Sequence, residues 1–128
     1  MTVADTDVLI DFLAGVDPAA GQVALELDHG SLQTTAITRF ELLSGARNAK
    51  QEAPIRQLLA AVPSLPLDDA AADRAAHVRR SLEQSGSSIG MADSLIAGIV
   101  LLHGAPLLTR NRRHFERVAG LRLADLDE

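Results

Sequence analysis

Three aspartates, Asp5, Asp7 and Asp11, stand in the segment ADTDVLID among residues otherwise apolar enough for a core. An ionised carboxylate moved out of water without a partner costs on the order of several kcal/mol, so any buried member needs hydrogen bonds, water or a cation. Two further acids share this character. Glu41 stands inside RFELLSG, flanked by Phe40 and Leu42, and Asp93 opens the apolar run MADSLIAGIVLL. Asp5, Glu41 and Asp93 come from three separate segments and together offer hard oxygen ligands, which magnesium and manganese take while keeping several waters. Each acid also has a plainer reading. Asp5 suits a helix N-cap, Glu41 could pair with Arg39 or Arg47, and Asp93 would be favoured by a helix dipole in any case. Asp7 and Asp11, one turn apart, read as a solvated stripe whose partner is water.

The second chemical feature is TRNRRHFER, residues 109–117, where Arg110, Arg112, Arg113 and Arg117 crowd around a single acid, Glu116. Arginine supplies eleven of the twelve basic residues, and its fork suits phosphate and carboxylate. The net charge of −5 nevertheless argues against broad electrostatic binding of nucleic acid, so only this local patch could do it. Phe12, Phe40 and Phe115 are too few to build a base-stacking platform. A nucleic acid would be held by its backbone. His29, His77 and His103 read as satisfied or solvated histidines at helix ends.

The elements that must position these groups alternate. TVAD reads as a short strand leading into a helix with Val8, Leu9, Phe12, Leu13 and Val16 at helical spacing, stopped near Gly15. A second helix is expected from about Pro18 to His29, a strand over 31–35, helices over 37–46 and 55–62, and a brief strand over 65–68. A long Ala-rich helix from about Ala70 to Gln84, the breaker SGSSIG, the helix MADSLIAGIVLLH and the buried-type strand APLLT follow, and LRLADL is a candidate last strand. This pattern predicts an α/β fold with a parallel sheet, in which ligands bind at the carboxyl ends of strands. Asp5 stands at such an end.

At 128 residues with 47% apolar content, the chain is read as one domain, 1–128, able to bury a core without disulfides; it has no cysteine. LIAGIVLL is far shorter than the roughly 20 residues of a membrane span, and MTVADTD lacks the features of a secretory signal, so no membrane association and a cytoplasmic location are expected.

With these residues in place, the chain resembles the PIN-domain ribonucleases, and more closely the VapC-like toxins of bacterial toxin–antitoxin pairs. DTDVLID is similar to the family's opening Asp-Thr-Asn/Asp motif, and TTAITRFELLSG to its strand and Glu-Leu helix. IGMADSLIAGIVLLHGAPLLTRNRRHF is similar to its third block. The resemblance implies a PIN-like three-layer fold with a central, mostly parallel sheet flanked by helices. It makes Asp5, Glu41 and Asp93 the catalytic metal site, with Thr6 and Asn111 as supports and Asp5 facing the end of APLLT. It implies endonucleolytic cleavage of RNA with Mg2+ or Mn2+, neutralisation by a cognate VapB-like antitoxin, and a homodimer. Where many relatives carry a fourth acid, in Asn-x-x-Asp-Phe, this chain has His114, a poorer magnesium ligand, and Asp7 is a candidate substitute. Arg110, Arg112 and Arg113, following a strand end beside the expected site, are assigned to RNA phosphates.

Two rivals stand beside this reading. A haloacid-dehalogenase-like phosphotransferase could use Asp5 and Asp7, but it leaves Glu41 and Asp93 without a role and needs a phosphate-holding lysine, and the chain's single lysine is Lys50. A PIN-like domain that binds RNA or protein without cutting it would not need all three acids.

Overall fold

The computed structural model describes residues 1–126. The chain begins with β1 (Thr2–Ala4) and turns at once into α1 (Thr6–Ala14), which ends where Gly15 takes the left-handed conformation, φ 71°, that favours glycine. Next come α2 (Ala19–Asp28), β2 (Leu32–Thr35), α3 (Ala36–Gly45) and α4 (Ala49–Ala61). The second half comprises β3 (Ser64–Leu65), α5 (Asp69–Gln84), α6 (Met91–His103), β4 (Leu107–Leu108) and the single turn α7 (Arg112–Phe115).

All four strands are parallel, in the order β3-β2-β1-β4. The chain runs outward from β1 through β2 to β3 and then crosses back to place β4 on the other side of β1. The order therefore reverses between β1 and β4, and their carboxyl ends border the crevice in which open parallel sheets bind ligands. Leu123 adds one parallel bridge to Leu107, so LRLADL contributes a single pairing rather than a full strand.

Successive strand residues point to opposite faces, and both faces are covered. Val3 and Leu107 pack with Val78 of α5, Ile96, Ile99 and Val100 of α6, and Phe115. Ala4 and Leu108 pack with Val8 and Leu9 of α1, Val23 of α2, Leu42 of α3 and Leu58 and Leu59 of α4. These are the expected three layers. Helix α6 is apolar on nearly every side because it lies between the sheet and α5. Their approach is set by Gly98, where a Cβ would meet the Ala75 backbone at 2.6 Å.

Several boundaries differ from the sequence reading. Helix α4 starts at Ala49, capped by Asn48 accepting from Gln51 N at 2.9 Å, and Pro54 lies within it. Strand β3 is only Ser64–Leu65, because Asp68 is engaged as the N-cap of α5 through Ala71 N, 2.9 Å. His77 lies in the middle of α5, not at a helix end. Among the described residues no single helix is long and apolar enough to cross a membrane.

Candidate active site

Asp5 closes β1 and N-caps α1. Its extended backbone lets Oδ1 accept from Thr6 N at 2.8 Å, while its own N donates to Leu108 O at 2.9 Å across the β1–β4 crevice. The residue is 5% exposed. Its second oxygen, Oδ2, accepts from the buried Thr109 hydroxyl at 2.7 Å. Capping and site chemistry thus fall on different oxygens of one carboxylate.

Asp7 and Asp93 lie close enough for their charges to act on Asp5, and Glu41 is tied to the neighbouring Thr6. Asp7, in the first turn of α1, is half-buried, and its Oδ2 accepts from Arg110 N at 3.1 Å with the Thr109 hydroxyl 3.4 Å away. Its Oδ1 is buried without a hydrogen-bond partner. Glu41 reaches in from α3, with Oε1 accepting from Thr6 Oγ1 at 2.6 Å and Thr38 Oγ1 lying 3.0 Å from the same hydroxyl. Asp93, in the first turn of α6, accepts at Oδ2 from Asn111 Nδ2, 3.2 Å, with His114 Nδ1 3.0 Å from that oxygen.

The stripe expected for Asp7 and Asp11 is not formed. Asp7 ties down the turn after β4, and Asp11 is only 14% exposed because Arg110 Nε pairs with its Oδ2 at 2.7 Å. The turn that follows β4 folds back over α1, which turns both side chains from water toward protein. Arg112 likewise has a protein partner: Nη1 donates to Ala124 O at 2.9 Å and pins the segment after α7. Arg113 is exposed and has no ion pair among the described residues.

The electrostatics are those of an anionic centre short of positive charge. Burial, and after it the neighbouring Asp7 carboxylate, push the Asp5 pKa up to about 7, against the hydrogen bonds from Thr109 and Thr6; Asp93 adds to the rise. Burial also raises Asp7, opposed chiefly by Arg110. Among the described residues no arginine or lysine side chain forms an ion pair with Asp5, Asp7, Glu41 or Asp93. The donor set is carboxylate and hydroxyl oxygen, which suits a hard divalent cation, and the orphaned Asp7 Oδ1 suits one too. Among the described residues no three Asp, Glu, His or Cys side chains stand close enough together to hold a metal ion between them. The fit is to an ion held by few direct carboxylates with water in its other positions.

Two participants were not singled out from the sequence as site residues. Thr109 lies between Asp5, Asp7 and Asn111 N, which donates to its hydroxyl at 3.0 Å. Thr38 sits behind Thr6. The readable signal for Thr109 was a lone hydroxyl ending the apolar strand APLL, opposite the end of β1.

A PIN-domain family model matches residues 2–121. The chain is 32% identical over 125 residues to the tRNA(fMet)-specific endonuclease VapC of Shigella flexneri, covering 94% of both chains. It is 32% identical over 115 residues to Ribonuclease VapC10 of Mycobacterium tuberculosis, covering 90% of this chain and 86% of the relative. Among solved structures, a toxin–antitoxin complex from Klebsiella pneumoniae superposes with a TM-score of 0.80 at 26% identity, covering 100% and 99% of the two chains. DNA-bound VapBC from Salmonella typhimurium superposes with a TM-score of 0.86 at 24% identity over 98% of each.

Proposed function

The chain belongs to the PIN-domain family, and from that membership we propose that it is a VapC-type endoribonuclease toxin that cuts RNA with Mg2+ or Mn2+ and is neutralised by a cognate VapB-like antitoxin. The observation that carries the reading is the buried Asp5 carboxylate, held beside Asp7 and Asp93 with no cationic side chain paired to it among the described residues. Asp5, Glu41 and Asp93 would hold the ion. When bound, the ion neutralises charge developing on phosphoryl oxygens and makes water a usable nucleophile at neutral pH.

The protein's own groups do the rest. The caps and strand bonds fix Asp5 at the crevice, the Thr6 hydroxyl holds Glu41 Oε1, and Asn111 and His114 hold Asp93. The exposed Arg113 supplies positive charge for RNA phosphate beside an otherwise acidic surface, and such contacts position a strand without reading its sequence.

An apolar groove of about 870 Å³ adjoins the acids, lined by Ile10, Leu13, Leu42, Pro54 and Ile55, with Glu41 on its wall. It fits an antitoxin segment that buries an apolar face and brings an arginine to the carboxylates in place of the metal. The protein acts in the cytoplasm as a homodimer. The phosphotransferase alternative loses ground because Lys50 lies on this groove, apart from Asp5.

The test is cleavage of RNA by antitoxin-free protein, with initiator tRNA as the first substrate because of the Shigella flexneri relative. Activity should require Mg2+ or Mn2+ and stop in chelator. Asp5→Asn, which keeps the cap and the volume, should lower it by more than the roughly 10–100-fold seen for residues behind a metal's ligands. Full activity in that variant, or in chelator, overturns the assignment, and folded protein that binds RNA without cutting it would select the non-catalytic reading.

A further inference from the structure

Asp93 enters the site from the first turn of α6 and meets two groups from the segment after β4. Asn111 Nδ2 is 3.2 Å from Asp93 Oδ2, His114 Nδ1 is 3.0 Å from the same oxygen, and the two nitrogens are 2.9 Å apart. Both contacts fall on Oδ2. The amide of Asn111 has two N–H groups, enough to serve Oδ2 and an unprotonated Nδ1 together; in the other tautomer Nδ1–H donates to Oδ2 directly. Either way, Nδ1 is committed to protein groups. The ring is carried by α7, whose neighbouring Phe115 is fully buried in the core, so its place is set by packing.

We propose that His114, acting with Asn111, is a positioning residue for Asp93: the pair fixes Oδ2 and leaves Oδ1 as the oxygen offered to a divalent ion, with the imidazole outside the ion's coordination shell. The inference rests on the metal-nuclease reading of the site. It gives His114 a role different from that of a ligand in a fourth position. Groups that hold a ligating carboxylate set its orientation and commonly change metal affinity 10–100-fold when removed. The cost of removing the ring itself is small, since its side chain is 39% exposed.

Calorimetric titration of the antitoxin-free protein with Mg2+ and with Mn2+ tests this. His114→Ala should weaken both ions by about tenfold or more, and by a similar factor. His114→Asn, whose amide can take the place of Nδ1, should restore most of the affinity, whereas His114→Gln, with its amide one carbon farther out, should not. Melting curves keep the comparison to folded protein, and His114→Gln stands in if the alanine variant melts early. Parental affinity in His114→Ala overturns the proposal. So does a loss confined to Mn2+ that asparagine does not repair, since an imidazole ligand favours the softer ion. Failure of the parent to bind either ion would remove the metal-nuclease reading, and this inference with it; that outcome is read on the parent and not on the variants.

Discussion

The Thr109 hydroxyl lies 2.7 Å from Asp5 Oδ2, joining residues 104 positions apart across the β1–β4 crevice. The bond lowers the cost of ionising Asp5 where burial and Asp7 raise it. Thr109→Val keeps the shape but removes the donor, leaving a buried carboxylate oxygen to lose on the order of 1–3 kcal/mol of stability at neutral pH. Thr109→Ser should retain most of it. Denaturant melts of the three proteins at pH 7.5 check this, and a valine variant as stable as the parent would show that the hydroxyl contributes nothing.

Metal-free protein should grow less stable as pH rises from about 4 to about 7. The folded Asp5 titrates near 7 against 3.8 as its ordinary value, so over that range the folded state keeps a proton that the unfolded chain has released. Ionising it in place costs on the order of 4 kcal/mol at the upper end, with Asp7 adding in the same direction. Asp5→Asn should flatten the slope, and magnesium should restore stability most at pH 7.5. The measurement is ΔG of unfolding against pH with and without the ion; a parent profile that coincides with that of Asp5→Asn would refute the shift.

The groove beside Glu41 yields a separation of functions. Ile10 is 50% exposed at its wall, so a charge there costs the free toxin little but would be buried under a bound apolar segment. Ile10→Glu should therefore cleave RNA as the parent does yet escape neutralisation by the antitoxin, read as toxicity on co-expression. Intact neutralisation would place the antitoxin elsewhere.

The alternation of elements and the separate acids were legible because burial demands apolar periodicity and because carboxylates in apolar surroundings are rare. Asp5 invited two readings, cap and ligand, and the structure shows why no choice between them was needed: the cap uses Oδ1 and Thr109 uses Oδ2. What was illegible depended on contacts far apart in sequence. Spacing within ADTDVLID suggested that Asp7 and Asp11 face water, but the turn after β4 supplies Arg110 to both, through its backbone and its side chain. Pro54 hid the first turns of α4, since proline usually marks a boundary and Asn48 caps the helix well before it. Arg112 reads as a free cation until Ala124 O is found beside it.

That last distinction divides the arginines expected at RNA. Arg113 is exposed with no ion pair among the described residues, Arg112 is engaged with Ala124, and Arg110 is 51% exposed but paired with Asp11 at 2.7 Å. Measured in the Asp5→Asn background so that RNA survives, Arg113→Gln should weaken binding across substrates and lower the salt slope by about 0.7, the value for one single-strand phosphate contact. Arg112→Gln should act on stability first, because it loosens the segment that bridges Leu107. Asp11→Asn is the most discriminating change. Removing the competing carboxylate releases Arg110 toward phosphate, so RNA affinity should rise and its salt dependence steepen by a similar increment. The alternative is that the pair serves only to hold the Thr109–Asn111 turn over Asp5; the same substitution would then weaken binding at an unchanged salt slope, and titrations at several salt concentrations tell the two apart.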